Sequence, residues 1–151
     1  MVAFDVGERR IGVAVSDATF TLARPVGVLR PASLETDALQ LVVAEIARLG
    51  DEDDAVTAVV VGLPRRLDGS ATAMTRRVSA FARELGRLVP LPIVLQDERL
   101  TSHEAESRLA LTEKDWRVRK RSLDAAAAAI ILQDYLDSRP RDPVSAAEPE
   151  V

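Results

Sequence analysis

The chain has no cysteine and a single histidine, His103. Without cysteine there is no disulfide framework and no thiolate to hold zinc or an iron–sulfur cluster, which fits a reducing compartment. His103 falls within Thr101-Ser102-His103-Glu104, a capping-box pattern that opens a helix, and reads as a surface residue rather than a ligand. Aromatic side chains are scarce too, at 3% of residues against 47% apolar in all, so the core must be aliphatic. No long hydrophobic run exists. The longest, Ala125 to Leu132, is far short of the ~20 residues that span a bilayer. Asp5 interrupts any apolar segment at the start, so no signal peptide is legible. These absences predict a cytoplasmic protein with no membrane association, and the length of 151 residues predicts one domain.

An excess of basic charge is also missing. The net charge is −4, mildly unfavourable for a nucleic-acid partner, so its distribution matters more than its sum. Acidic residues gather at Asp51-Glu52-Asp53-Asp54 and again at Glu148 and Glu150. Basic residues pair at Arg9-Arg10, Arg65-Arg66 and Arg76-Arg77, and Lys114 to Arg121 holds Lys114, Arg117, Arg119, Lys120 and Arg121 against one aspartate. Such local clusters are compatible with a polyanion ligand, although any single arginine pair also serves as an ordinary solvated surface.

What is present is organised around the first stretch, Ala3 to Asp17. Val2, Phe4 and Val6 form one apolar face of a strand; Ile11, Val13 and Val15 form one face of a second. Asp5 stands inside the first strand, where a carboxylate is disfavoured by β-propensity and expensive to bury. Gly7 then permits close approach to the backbone, and a basic turn follows. Asp-x-Gly before a basic turn suggests a cation or phosphate site, or an aspartate that merely caps the turn.

A third strand is expected over Thr21 to Leu29, with Pro25 marking an edge or a bulge. Ser33 caps a helix over Leu34 to Leu49 that Gly50 ends, with Leu39, Val42, Val43, Ile46 and Leu49 inward. Ala55 to Gly62 is a near-continuous apolar run, the signature of a central parallel strand. A turn-rich loop through Arg65-Arg66 leads to a helix over Ala71 to Leu88, and Ile93 to Gln96 form a last strand ending at Asp97-Glu98-Arg99. Ser122 caps a final helix, Leu123 to about Asp137. Residues 139–151 lack periodicity and read as a disordered tail after a single domain over residues 1–138.

Three meander strands followed by helix, strand, helix, strand, helix imply a mixed sheet: an antiparallel meander plus two parallel strands, with helices on both faces. Ligand sites in such sheets lie beyond the carboxyl ends of the parallel strands. Asp5-Val6-Gly7, Gly62-Leu63-Pro64-Arg65-Arg66 and Asp97-Glu98-Arg99 all fall at that edge. Asp124 joins them from the last helix. Its neighbours at helical spacing are Ala127, Ala128 and Ile131, so it projects from an apolar, sheet-facing stripe. Placement of a carboxylate in a first helical turn, worth some tenths to ~1 kcal/mol, accounts for its position but not for its inward direction. Converging carboxylates repel unless a cation intervenes, and Mg²⁺ or Mn²⁺ with oxygen ligands resolves the conflict.

These residues resemble a known family. Asp5-x-Gly7-x-x-Arg10-Ile11-Gly12-Val13-Ala14-x-Ser16-Asp17, Val61-Gly62-Leu63-Pro64 with Asp68-Gly69-Ser70, Asp97-Glu98-Arg99-Leu100-Thr101, and Lys120 with Asp124-x-x-Ala127-Ala128 look like the four motif blocks of the YqgF/RuvX family. They occur in the family's order over about residues 1 to 138. The family is similar to RuvC-type resolvases and has a ribonuclease H-like fold. Its members are described as Holliday junction resolvases or as nucleases that mature the 5′ end of 16S ribosomal RNA. The resemblance implies a metal-dependent endonuclease acting on structured DNA or precursor rRNA, as a monomer or homodimer.

It further implies a catalytic acidic set of Asp5, Glu98 and Asp124 that binds Mg²⁺ or Mn²⁺. The strand pattern does not choose between Asp97 and Glu98; Glu98 is taken from the family, with Asp97 and Gly7 in support. Two ions roughly 4 Å apart could stabilise both the attacking and the leaving oxygen. Candidate nucleic-acid contacts are Arg9, Arg10, Arg65, Arg66, Arg99 and the basic segment Lys114 to Arg121. That segment reads as a mobile lid between two helices, with Trp116 either stacking on a base or anchoring the loop. Two other functions share features of the sequence. A non-catalytic nucleic-acid or protein-binding module could keep the fold. An actin-like kinase or ATPase could share the Asp-x-Gly turn, but it needs two such domains around its nucleotide.

Overall fold

The structure, a computed structural model, describes residues 1–52, 56–97 and 116–139, with the side chains of 52 and 116–123 not among them. Among the described residues, five strands and three helices follow in the order β1 (Val2–Val6), β2 (Ile11–Ser16), β3 (Ala23–Leu29), α1 (Ala38–Glu52), β4 (Val59–Leu63), α2 (Ala73–Leu88), β5 (Ile93–Asp97) and α3 (Trp116–Ser138). The sheet order is β3-β2-β1-β4-β5. β1–β2 and β2–β3 pair antiparallel, while β1–β4 and β4–β5 pair parallel. This is the mixed sheet expected of a ribonuclease H-like fold: a three-strand meander extended by two crossover strands.

Period-two alternation divides the central strand between two cores. Val2, Phe4 and Val6 belong to the larger one, with Val59, Val61 and Leu63 from β4, Val42, Ile46 and Leu49 from α1, and Val78, Phe81 and Leu85 from α2. Ala3, Ala14 and Val60 point the other way and meet Ala128, Ile131, Leu132 and Leu136 of α3. Two helices therefore cover one face and α3 covers the other. The face under α3 carries alanines, which lets that helix lie close to the sheet. The face under α1 and α2 carries Phe4 and the valines, and truncating the fully buried Phe4 to alanine is worth about 3–5 kcal/mol.

Pro25 sits on β3, an edge strand, as its missing N–H requires. The ladder slips there: Gly27 pairs with Val13 and Pro25 with Ala14, leaving Val26 as the extra residue of a bulge. Several boundaries differ from the expected ones, β3 and α2 starting two residues later and β4 running Val59–Leu63; the ends of α1 and the start of α3 carry a physical reason. α1 begins at Ala38 rather than Leu34. Asp37, not Ser33, stands at its entrance: the Asp37 carboxylate accepts the Ala32 N–H at 2.8 Å and the Ser33 N–H at 3.3 Å, and its carbonyl accepts the N–H of Leu41. Gly50 does not end this helix, which continues to Glu52, because an isolated glycine costs a helix only about 1 kcal/mol. α3 begins at least seven residues before the expected Leu123, so Ser122 is interior and not a cap. Trp116 to Arg121 contains neither glycine nor proline, and arginine and lysine are good helix formers, so nothing local stops the helix at Ser122. Residues 116–121 are therefore helical rather than a loop between helices. No helix among the described residues is long and apolar enough to cross a membrane.

Candidate active site

Asp5 is half-buried between the buried Phe4 and Val6 and points to the α3 face. Its partner across the antiparallel ladder is Gly12. On the parallel side, Phe4 pairs with Val61, which makes Gly62 the β4 residue of the next row. Asp5 is thus flanked in its row by glycines on both neighbouring strands.

Gly12 also brings in the second acid. A methyl group at Gly12 would lie 2.0 Å from the backbone oxygen of Asp124, so only glycine lets α3 seat itself there. Asp124 follows Trp116 by eight residues and is more than two turns inside α3. The favourable field of a helix N-terminus fades within the first turn and does not explain a carboxylate at this depth. The side chain is 27% exposed, while Ala127 and Ala128 on the same stripe are buried. Asp124 and Asp5 line one cleft of about 320 Å³.

The β1–β2 turn forms the opposite wall. The Gly7 N–H donates to the Arg10 carbonyl at 2.9 Å, and a methyl at Gly7 would come within 2.8 Å of that oxygen. The tight turn aims Glu8, Arg9 and Arg10 along the cleft. Arg10 Nη1 lies 3.7 Å from Asp124 Oδ2. Glu8 accepts from Arg77 of α2, which also binds Glu35 through Nε at 2.6 Å and Nη2 at 2.7 Å. That fork holds the Glu35 carboxyl below its ordinary value and raises the guanidinium of Arg77, chiefly through the bonds to Glu35.

The remaining expected residues divide into three groups. Arg65 and Arg66 are exposed on the β4–α2 loop and do not line the cleft. That loop closes on itself through the Arg66 N–H to Ser70 carbonyl bond at 3.0 Å and a left-handed Gly69. Asp97 pairs with Leu63, a member of the larger core, so strand alternation sets it on the face opposite Asp5. Glu98, Arg99, His103 and Lys114 lie outside the described residues, as do the side chains of Trp116, Arg117, Arg119, Lys120 and Arg121. Among the described residues no three acidic or histidine side chains form a cluster fit for a metal. Two carboxylates presenting oxygens to one cleft, with room for water or phosphate oxygens, do suit a hard cation such as Mg²⁺ or Mn²⁺.

A profile of the family described as "RuvX: Holliday junction resolvase" matches residues 1–138. The chain belongs to the RuvX family. A relative from Anaeromyxobacter sp. (strain Fw109-5), named "Putative pre-16S rRNA nuclease", is 44% identical over 138 residues, or 91% of this chain and 96% of that protein. Another of the same name, from Roseiflexus sp. (strain RS-1), is 42% identical over 139 residues, or 92% and 94%. Among solved structures, "T. thermophilus RuvC in complex with Holliday junction substrate" aligns with a TM-score of 0.47 and 16% identity, over 91% of this chain and 97% of that one.

The RuvX-family motif Arg10-Ile11-Gly12-Val13-Ala14 contains a role that sequence reasoning missed. Gly12 is the seat of the Asp124 backbone, and its signal was a glycine inside an otherwise apolar strand, which marks close backbone approach. Glu8 and Arg77 were also missed as a tether between the motif turn and α2. Nothing local pairs residues 69 positions apart.

Proposed function

We propose that this RuvX-family protein is a divalent-metal-dependent endonuclease that hydrolyses phosphodiester bonds in structured nucleic acid. The observation that carries the reading is the cleft itself, where two acids from separate elements, Asp5 and Asp124, face a turn bearing two arginines. Asp5 and Asp124 would hold Mg²⁺ or Mn²⁺ through carboxylate oxygens. When bound, such an ion supplies a Lewis acid and an activated water. Arg9 and Arg10 neutralise the phosphate that enters between the turn and α3. Gly7 closes the turn that carries these arginines, and Gly12 seats the backbone of Asp124. We assign the third acid to Glu98 rather than Asp97; in support, Gln96 shares the Asp5 face of the sheet and Asp97 does not.

The substrate reading follows the relatives' names and the family's description, which point to precursor 16S rRNA and to four-way junctions respectively. Both belong in one assay with plain duplex DNA as control. Asp5→Asn and Asp124→Asn should each reduce Mg²⁺-dependent cleavage to background. Melting temperature should change little, since both side chains face the cleft and neither belongs to the two apolar cores. Near-wild-type cleavage by either variant would remove that residue from the site. Wild-type binding without cleavage of any of the three substrates would favour the non-catalytic module instead.

A further inference from the structure

Two arginines stand at the ends of the β1–β2 turn's ion-pair contacts, and they are held very differently. Arg77 is gripped by both oxygens of Glu35 at 2.6 and 2.7 Å and by Glu8 as well. Arg10 reaches Asp124 at 3.7 Å, well beyond the 2.7–2.9 Å of a charge-assisted hydrogen bond. Its side chain remains 39% exposed. The backbones at both ends of this pair are fixed: the Arg10 carbonyl by the Gly7 N–H, and the Asp124 carbonyl by its seat on Gly12. The guanidinium lies along a cleft that also contains Asp5.

We propose that Arg10 is an exchangeable counter-ion: it neutralises Asp124 when no divalent cation is bound, yields that carboxylate to the cation, and then grips substrate phosphate. The inference rests on the metal-dependent reading above and adds a coupling between metal loading and substrate grip. A divalent cation on Asp124 repels a guanidinium held only 3.7 Å from the same carboxylate, and that repulsion drives the exchange. A displaced Arg10 stays tethered at the mouth of the same cleft, where a phosphate arrives. The long contact is what such an exchange requires, because a bidentate grip like that on Glu35 would compete too strongly with the metal.

The test titrates Mn²⁺ alone into the full-length protein by calorimetry. Arg10→Gln should bind Mn²⁺ about fivefold more tightly than wild type, the most a partly exposed ion pair of this kind withholds. Arg10→Lys, which keeps the charge, should stay near wild type. Arg76→Gln, which removes an exposed charge on α2, should leave Mn²⁺ affinity unchanged. In Ca²⁺, Arg10→Gln should lower the salt slope of nucleic-acid binding by about one. Independently of any variant at position 10, Mg²⁺ should shift the Arg10 Nε–H NMR signal in wild type but not in Asp124→Asn. Unchanged Mn²⁺ affinity in Arg10→Gln, or an Arg10 signal that ignores Mg²⁺, overturns the exchange while Asp124-dependent metal binding by wild type keeps the nuclease reading. Absence of Mn²⁺ binding in wild type and Arg10→Gln alike overturns both.

Discussion

Glycine substitutions show how position decides the sign of one chemical change. At Gly12 the added methyl would sit 2.0 Å from the Asp124 backbone oxygen, and neither the central sheet nor α3 can retreat without opening a core. Gly12→Ala should therefore cost at least about 1–3 kcal/mol, read as a lower urea midpoint, and should weaken Mn²⁺ binding because Asp124 moves with its backbone. At Gly50, inside α1, nothing lies within 4 Å of the same methyl. Gly50→Ala should raise stability by about 0.5–1 kcal/mol through helix propensity alone. A loss at both positions would mean that α1 is held by something other than its packed face.

At the scale of elements, the cleft is a junction of one turn, two strands and one helix. α3 is pinned to the meander by its alanine stripe and by Gln133, whose amide donates to the Thr21 carbonyl at 2.9 Å and accepts the Ala23 N–H at 3.0 Å. The β4–α2 loop lies at the carboxyl end of the strand beside β1 but turns its arginines outward. Arg65 and Arg66 are then suited to the flank of a long polyanion and not to the reacting phosphate. The double variant Arg65→Ala, Arg66→Ala should weaken binding across sequences and lower the salt slope by about one per lost phosphate contact. Its cleavage rate at saturating substrate should remain near wild type. An unchanged slope would make both residues ordinary surface arginines.

For the whole molecule, acid stability draws on three carboxylates, two tied into turns by backbone N–H groups and one held by an arginine. The backbone N–H groups of Thr21 and Leu22 hold Asp17 below its ordinary value, the Ala32 N–H does the same for Asp37, and Arg77 does so for Glu35. Each is a better acid folded than unfolded. Their contributions are therefore complete above the ordinary carboxylate range and are lost as pH falls through the lower folded values. Melting temperature should fall steadily from about pH 5 to about pH 3, and Asp37→Asn should flatten part of that limb. An acid limb identical in the variant would show that the Asp37 turn does not form.

The sequence by itself determined the layers and the order of the elements along the chain, because hydrophobic periodicity and punctuation are local signals. Alternation in Val2 to Val6 and Ile11 to Val15, the apolar run into Gly62, and the helical stripes of α1 and α2 each gave the element that was found. Pro25 marked the edge and bulge before any pairing was known. Family membership was legible too, since the four motif blocks are short strings in a fixed order, and the profile match over residues 1–138 bears it out. Tertiary structure alone decided three things. It set Asp124 deep in α3 rather than at its start, because the helix runs from Trp116 straight through Ser122, whose local signal is that of a cap. It made Gly12 the seat of that helix, a contact between positions 112 residues apart in the chain. It separated Arg10, loosely paired inside the cleft, from Arg77, locked outside it. Both belong to Arg-Arg pairs that look alike in sequence, and only the carboxylates that folding delivers to each tell them apart.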